Sequence, residues 1–160
     1  MNFSLNLQKN LKNKNMNQKL PINSKVFKNI QRNEDFRGEI LSIVEHPVQN
    51  VSIINCNKNT IRSNHYHKKD FHFMYVLEGV IDYFYKELNS DEVKYIKVLS
   101  GDTIFTPNLE IHATYFPVKT SLVVSSGFPR DQETYENDTV RVDFLNEGNI
   151  EEFLNNYAIK

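Results

Sequence analysis

The sequence contains one cysteine, no tryptophan, no long apolar run and almost no excess of charge of either sign. A single cysteine excludes an intramolecular disulfide framework and favours a reducing compartment. No stretch approaches the roughly 20 apolar residues that span a bilayer, and the N-terminus lacks the apolar core of a signal peptide. The net charge of −1 gives no overall attraction to nucleic acid or to an anionic membrane. We therefore expect a cytoplasmic protein with no nucleic acid and no membrane as a partner.

The length of 160 residues is enough for one domain with a hydrophobic core. The N-terminal part, Met1 to Leu20, is rich in Asn and Lys and has no acidic residue. Because it has few apolar side chains to bury, we expect residues 1–22 to form a flexible tail. Residues 23–160 contain no internal repeat and no domain linker, and we expect them to form a single domain.

From Val26 onward, short runs of β-branched and aromatic residues alternate with turn-forming residues. Many short strands at close spacing indicate an all-β sandwich or barrel. The predicted strands are Glu39–Glu45, Val51–Asn55, Ile61–His67, Phe71–Leu77, Val80–Tyr85, Val93–Leu99, Thr103–Thr106, His112–Pro117 and Leu122–Ser126, with Val140–Phe144 as a further candidate. The helical spacing of three apolar residues predicts one short C-terminal helix over Glu151–Tyr157.

Three histidines fall within eight residues, at His65, His67 and His72. The residues around them are aromatic or β-branched, which favours a strand. Side chains in a strand alternate between its two faces, so His65 and His67 share one face a few ångströms apart. Two imidazoles on one face and a third close by form most of a metal site. Taken alone, the same pattern is also compatible with histidines that bind no metal.

A second stretch, Gly101–Phe116, adds His112 inside another apolar, strand-like run. The two stretches together resemble the paired motifs of the cupin superfamily. The matching positions are His65, His67, His72 and Gly79 in the first motif and Gly101, Pro107 and His112 in the second. Three positions depart from the motifs: His72 replaces an acidic ligand, Leu109 replaces a glycine and Phe116 replaces an asparagine.

The resemblance implies the cupin fold, a double-stranded β-helix also described as a jelly-roll barrel. It also implies a four-histidine metal site, whose ligands would be His65, His67, His72 and His112. Imidazole nitrogens suit Zn, Fe, Mn, Ni or Cu, and the sequence does not choose among these metals. Four neutral ligands leave the charge of the metal uncompensated, so such a site favours an anionic ligand, an enolate or a bound hydroxide.

Three further segments resemble nucleotide-sugar enzymes. Asp35–Glu39 and Arg62–Lys68 resemble elements of nucleotide-sugar epimerase and ketoisomerase cupins, with Ser63 in place of a glycine. Phe128–Val142 resembles the end of the metal-binding cupin domain of capsular-sugar reductases. This resemblance implies proton removal next to a sugar ketone, through an enediolate, in surface polysaccharide biosynthesis.

The resemblance makes His65 the candidate base in metal-free members, a role that conflicts with its role as a metal ligand. If a metal binds His65, another group must act as the base, and Tyr75, Asp82 and Tyr83 are the candidates. The candidate residues for binding the diphosphate of the substrate are Arg37, Arg62 and Lys68, because phosphates bind cationic side chains. Two interpretations are open for Arg130, Asp131, Tyr135 and Arg141: a cluster at the mouth of the barrel, or a structural ion-pair network.

We therefore expect an epimerase or isomerase that acts on a nucleotide-linked keto-sugar. Two alternatives stay open: a mononuclear metal-dependent oxygenase or lyase acting on a small organic substrate, and a non-catalytic sugar-binding cupin. Phe71–Leu77 is apolar on both faces apart from His72, so something must cover its outer side. Cupins often pair through such a surface, and a homodimer is predicted.

Overall fold

The computed structural model describes residues 19–27 and 30–158. Most of the predicted tail, residues 1–18, lies outside this part of the chain. The strands are β1 Lys25–Phe27, β2 Ile30–Asp35, β3 Gly38–Ser42, β4 Asn50–Cys56, β5 Thr60–His67, β6 His72–Glu78, β7 Val80–Glu87, β8 Lys94–Leu99, β9 Thr103–Thr106, β10 Glu110–Phe116, β11 Thr120–Ser126 and β12 Thr139–Arg141. The helices are α1 Gln132–Asp138 and α2 Ile150–Phe153, and α2 continues as a π-helical turn over Leu154–Ala158.

Two five-stranded antiparallel sheets form the body of the protein. The first sheet has the strand order β1–β9–β6–β11–β4, and the second has the order β12–β5–β10–β7–β8. Strands β2 and β3 form a separate two-stranded hairpin. This jelly-roll arrangement, with a short C-terminal helix, confirms the predicted cupin fold.

The main hydrophobic core lies between the two sheets. Met74 and Val76 of the first sheet pack there against Ile81 and Tyr83 of the second. A second core lies outside the second sheet, where Phe84 packs with Phe144, Leu145 and the C-terminal helix. The predicted helix Glu151–Tyr157 is therefore present, and its aromatic residues cover the outer face of this sheet.

Three motif positions show why the turns form where they do. Gly79 joins β6 to β7 with φ +98°, and a Cβ atom there would lie 2.3 Å from the Thr120 hydroxyl oxygen, so only glycine fits. Leu109 and Ser63 stand at positions where the cupin motifs have glycine, and both adopt a positive φ, of 57° and 70°. The glycine-like backbone is thus kept without the glycine, at a steric cost.

Strands β1 and β2 and helix α1 are not among the predicted elements. Polar residues dominate β2 and α1, so neither segment has an apolar periodicity that marks an element. The candidate strand Val140–Phe144 is shorter than predicted and shifted, because only Thr139–Arg141 pairs with β5. No helix among the described residues is long and apolar enough to span a membrane.

Candidate active site

Four histidines meet inside one end of the barrel. His65 and His67 point inward from the last residues of β5, and His72 points inward from the first residue of β6. His112 lies directly opposite His65 in the antiparallel pairing of β10 with β5. All four side chains are buried. Strand alternation and the pairing of two separated segments therefore bring the sequence-predicted histidines together.

The four imidazole rings form a continuous cluster. The ring centroids of His65 and His67 lie 4.7 Å apart, those of His65 and His112 4.7 Å apart, and those of His67 and His72 4.5 Å apart. His65, His67 and His72 each offer a nitrogen within 4.8 Å of the others, which is compatible with one shared cation. His112 is not a member of this group. Its Nδ1 lies 3.2 Å from the Glu110 carbonyl oxygen, and its ring stacks on Tyr83.

Burial keeps these imidazoles neutral. Together with the neighbouring rings and Arg130, burial lowers the pKa of His65 to about 2 and that of His112 to about 3, although a hydrogen bond with the Glu110 backbone partly opposes this for His112. Burial also lowers the pKa of His67 and His72, although the Asp138 carboxylate partly opposes this for His67. Neutral imidazoles have a free lone pair, which can bind a metal or accept a proton from a substrate.

Asp138, His67 and His65 form a hydrogen-bonded chain. The Asp138 carboxylate lies 3.1 Å from Nδ1 of His67, and Nε2 of His67 lies 3.1 Å from Nε2 of His65. Because a carboxylate only accepts, Nδ1 of His67 carries the proton and its Nε2 is the acceptor. Nε2 of His65 must then donate to His67, which leaves the lone pair of His65 on Nδ1. The chain thus gives His65 the tautomer that a general base needs.

Arg130 brings a cation to the same cluster. Its Nη2 lies 3.1 Å from Nδ1 and 3.2 Å from Nε2 of His72, and its Nε donates to the Ser126 hydroxyl at 3.0 Å. The guanidinium also lies 5.2 Å from the ring centroid of Tyr135. Asp70 is a buried carboxyl here, 3.6 Å from Nδ1 of His72, and burial raises its pKa to about 6. The Arg130 guanidinium and the Asp70 carboxyl thus lie next to the histidines.

Helix α1 covers the mouth of the barrel. The ring centroid of Tyr135 lies 5.8 Å from that of His67, and Asp138 ends the same helix. The Asp138 carboxylate also accepts hydrogen bonds from the backbone N–H groups of Lys69 and Asp70. The histidines are at most 9% exposed, and Tyr135 of α1 and Arg130 both contact them. An open cleft of about 600 Å³ lies beside this mouth, between Leu20–Asn23, Glu87–Asn89 and Pro107–Leu109.

Tyr83 is the one alternative base that lies beside the histidines. Its ring stacks on His112 with a centroid separation of 6.0 Å. Its hydroxyl, however, lies 2.9 Å from the Ser24 hydroxyl and 2.8 Å from the Thr106 hydroxyl, and burial raises its pKa well above the usual value. Ser24 in turn donates to the buried Glu110 carboxyl, whose pKa burial raises to about 7. This network fixes the segment before β1 to the barrel and keeps the Tyr83 hydroxyl occupied.

The other two alternative bases do not lie with the histidines. Tyr75 shares the outer face of β6 with Phe73, opposite to His72. Asp82 lies on the outer face of β7 with Phe84 and accepts a hydrogen bond of 2.5 Å from the Tyr95 hydroxyl. The apolar runs do not show which face is inner, and this explains why sequence reasoning could not separate them from Tyr83.

The three predicted phosphate-binding cations lie outside the histidine cluster. Arg37 pairs with Asp35 at 2.6 Å at the tip of the β2–β3 hairpin. Arg62 contacts the thiol of the buried Cys56. Lys68 follows His67 at the mouth and donates to the Asn137 carbonyl oxygen at 2.8 Å.

Two of the four residues Arg130, Asp131, Tyr135 and Arg141 lie at the mouth of the barrel as one interpretation predicts, and the other two have the structural role that the second interpretation predicts. Arg130 and Tyr135 line the site, whereas Asp131 caps α1 and Arg141 forms an ion pair with Glu136.

Sequence reasoning missed Asp138, Asp70, Ser24 and Glu110. Asp138, Ser24 and Glu110 reach the site through contacts with residues that are distant in the chain, so no local pattern indicates them. Asp70 lies within the first motif, but no local pattern indicates its role either.

No model of a protein family matches the sequence, and no curated protein matches it. Solved structures do resemble the fold. The sugar 3,4-ketoisomerase QdtA from Thermoanaerobacterium thermosaccharolyticum, a mutant in complex with TDP-4-keto-6-deoxyglucose, is 18% identical, with a TM-score of 0.62 over 86% of this chain and 99% of that one. The TDP-quinovose 3,4-ketoisomerase WlaRB from Campylobacter jejuni is 18% identical, with a TM-score of 0.63 over 85% and 100%.

The dTDP-4-dehydrorhamnose 3,5-epimerase from Bacillus anthracis is 16% identical, with a TM-score of 0.60 over 78% of this chain and 81% of that one. Each of these likenesses extends over most of both chains, so it concerns the whole barrel rather than one motif. The chain therefore has the cupin fold of the nucleotide-sugar ketoisomerases and epimerases, the group that its motifs resemble.

Proposed function

We propose that this protein is an isomerase or epimerase that acts on a nucleotide-linked keto-sugar. The observation that carries the proposal is the chain from Asp138 through His67 to His65, which leaves a neutral imidazole with a free lone pair inside the barrel. The shared fold with ketoisomerases and an epimerase supports the same reaction class. One solved ketoisomerase holds TDP-4-keto-6-deoxyglucose, and we take this 4-keto sugar as the first substrate to test.

The proposed reaction begins with His65. Its Nδ1 takes the proton from the carbon next to the ketone, and the electrons of the C–H bond form an enediolate with the carbonyl. His65 becomes an imidazolium whose Nε2–H already donates to His67, and the Asp138 carboxylate stabilises the positive charge through His67. The proton then returns to a ring carbon. Return to the same carbon on the other face gives epimerisation, and return to the former carbonyl carbon, with a proton shift between the two oxygens, gives a ketoisomer.

Arg130 is the proposed partner of the oxyanion. The enediolate carries a negative charge, and preorganised cationic donors stabilise such charge in a dry site more than they do in water. The guanidinium already lies within 3.2 Å of both His72 nitrogens, next to the rings that surround the lumen. Movement of α1 would admit the sugar, and the cleft between Leu20–Asn23 and Pro107–Leu109 is the space beside the mouth where the nucleotide can lie.

A divalent transition metal stays a second possibility, which one observation favours. The nitrogens of His65, His67 and His72 lie within 4.8 Å of one another, and neutral imidazoles are donors that suit Zn, Fe or Ni. These three residues would hold the ion, and His112 lies next to them. A bound metal would supply Lewis-acid stabilisation of an oxyanion or the redox chemistry of an oxygenase.

The experiment that tests the proposal follows TDP-4-keto-6-deoxyglucose by proton NMR with the purified protein. We expect a new keto-sugar or an epimer to form, and His65→Gln to abolish the reaction. His46→Gln is the matched control, because His46 lies outside the cluster against Phe71 and Phe73. Tight binding of the sugar nucleotide without turnover would instead indicate a non-catalytic sugar-binding cupin. Bound iron or manganese with oxygen uptake would indicate an oxygenase.

A further inference from the structure

A second cavity lies outside the barrel, on the outer face of the first sheet. Its volume is about 250 Å³, and its walls are the segment Lys19–Pro21, the β1 residues Lys25 and Phe27, and the segment Ser42–Glu45. Phe73 of β6 is its most buried lining residue and forms its floor. This volume is near the lower limit of roughly 300 Å³ that is typical of small-molecule sites.

The first sheet separates this cavity from the histidines. Val26 packs into the core between the two sheets, so its neighbours Lys25 and Phe27 face outward. On β6, His72 points into the barrel, and Phe73 therefore faces the outer side. A molecule in the outer cavity would thus not contact the residues to which we assign the reaction.

Both walls of the cavity are held in place by contacts with the barrel. On one side, the backbone N–H of Ser24 donates to the buried Glu110 carboxyl at 3.0 Å, and β1 pairs with β9. On the other side, the ring centroid of His46 lies 5.2 Å from that of Phe71 and 6.3 Å from that of Phe73. The cavity is therefore formed before any molecule enters it, as is usual for ligand sites.

The inner part of the cavity is aromatic and aliphatic. The ring centroids of Phe27 and Phe73 lie 6.0 Å apart in an edge-to-face arrangement, and Ile43 and Val44 are half-buried beside them. Such a surface favours an apolar group, and an aromatic ring gains further from edge-to-face contacts with the two phenylalanines.

The outer part of the cavity is cationic. Lys19 and Lys25 are both exposed lining residues, and within the described part of the chain neither forms a hydrogen bond or an ion pair. Glu45 is the one carboxylate among the lining residues, so positive charge is in excess. A lysine ammonium group donates strong hydrogen bonds to a carboxylate, and two of them beside an apolar surface favour an anion with an apolar body.

We propose that this cavity binds a small aromatic carboxylate, with its ring against Phe27 and Phe73 and its carboxylate between Lys19 and Lys25. A volume of about 250 Å³ equals that of about eight molecules of liquid water, which suits one ring with a carboxylate and is too small for a nucleoside diphosphate. The site does not depend on the reaction proposed above.

Fluorine NMR of 4-fluorobenzoate with the purified full chain tests this site. We expect saturable binding with a Kd of roughly 1 mM or lower, and Lys25→Met should raise this Kd roughly tenfold, because a charge-assisted hydrogen bond is lost. Lys97→Met is the matched control, since Lys97 is exposed on β8 of the other sheet, and its Kd should equal that of the wild type. Absence of saturable binding would overturn the proposal, as would equal Kd values for the two variants.

Two further measurements define the position and the class of the ligand. Val44→Trp places a large side chain in the cavity and should abolish binding in protein that still unfolds cooperatively on heating. Competition with the wild type does not depend on any variant: benzoate should displace 4-fluorobenzoate, whereas inorganic phosphate and cyclohexanecarboxylate at the same concentration should displace much less. Unchanged binding by folded Val44→Trp would contradict the position. Equal displacement by phosphate would show that the lysines bind any anion, and equal displacement by cyclohexanecarboxylate would show that the ring is not recognised; either result would refute the proposed class.

Discussion

Asp138→Asn removes the charge that fixes the tautomer of His67 and keeps the size of the side chain. In the wild type, Oδ1 of Asp138 accepts from the Lys69 N–H at 2.8 Å. Oδ2 accepts from the Asp70 N–H and from Nδ1 of His67, both at 3.1 Å. An amide has a single acceptor oxygen, so its NH₂ group must face a backbone N–H in either orientation. One donor thus loses its acceptor, which costs about 1–3 kcal/mol of stability.

The effect on activity follows from the same geometry. If the NH₂ group faces His67, Nδ1 must become the acceptor, and the proton moves to Nε2. His65 then has to accept at its own Nε2 and carries its proton on Nδ1, where the base function is lost. If the NH₂ group faces Lys69, the tautomer is kept, but the imidazolium loses its charged partner. We expect kcat to fall by roughly 100- to 10,000-fold while the protein stays folded.

The assay measures the conversion of TDP-4-keto-6-deoxyglucose by NMR, alongside thermal unfolding of the same samples. Glu136→Gln is the control, because Glu136 lies on the same helix and pairs with Arg141 at the surface. We expect its kcat to stay within about threefold of the wild type, since exposed ion pairs contribute little. A folded Asp138→Asn protein with the kcat of the wild type would refute the role given to this hydrogen-bonded chain.

Three further predictions concern the cation at the site, the buried Glu110 and the turn at Leu109. Arg130→Gln should lower kcat by roughly 100-fold, because the enediolate loses its cationic donor, and unchanged kcat would exclude this role. Burial raises the pKa of Glu110 to about 7, so its stabilising contribution is present below pH 4.5 and is lost as pH rises through 7. Between pH 5 and pH 8 the wild type should therefore lose about 3 kcal/mol of stability relative to Glu110→Gln in denaturant titrations, and parallel pH profiles would contradict this. Leu109 and Leu99 are both 50% exposed, but only Leu109 has a positive φ. Leu109→Gly should therefore have a free energy of unfolding about 1–2 kcal/mol higher than that of Leu99→Gly and should unfold at a higher denaturant concentration. Equal midpoints would be evidence against strain at the turn.

The sequence predicts the barrel well because the strands are apolar and turn-forming residues such as glycine, proline and asparagine separate them. The HxH spacing, the second motif around His112 and the turn at Gly79 are local patterns, and each depends on strand alternation or on backbone sterics. The fold and the convergence of the four histidines follow from these patterns.

The rest of the site depends on contacts between residues far apart in the chain. Asp138 reaches His67 across 71 residues, and Ser24 reaches Glu110 across 86. Helix α1 has no buried side chain, so no apolar spacing predicts it. The metal, the flexible tail over residues 1–22, the cytoplasmic location and the homodimer stay predictions.

The most direct test of the account is deuterium exchange into the sugar. The protein is incubated with TDP-4-keto-6-deoxyglucose in D₂O, and the ring protons next to the ketone are followed by NMR. We expect deuterium to replace one of these protons in the presence of the wild type or of His46→Gln. With His65→Gln or with heat-denatured protein, we expect no replacement. If the sugar keeps all its ring protons in the presence of folded wild-type protein that binds the nucleotide, the proposed proton abstraction by His65 is wrong.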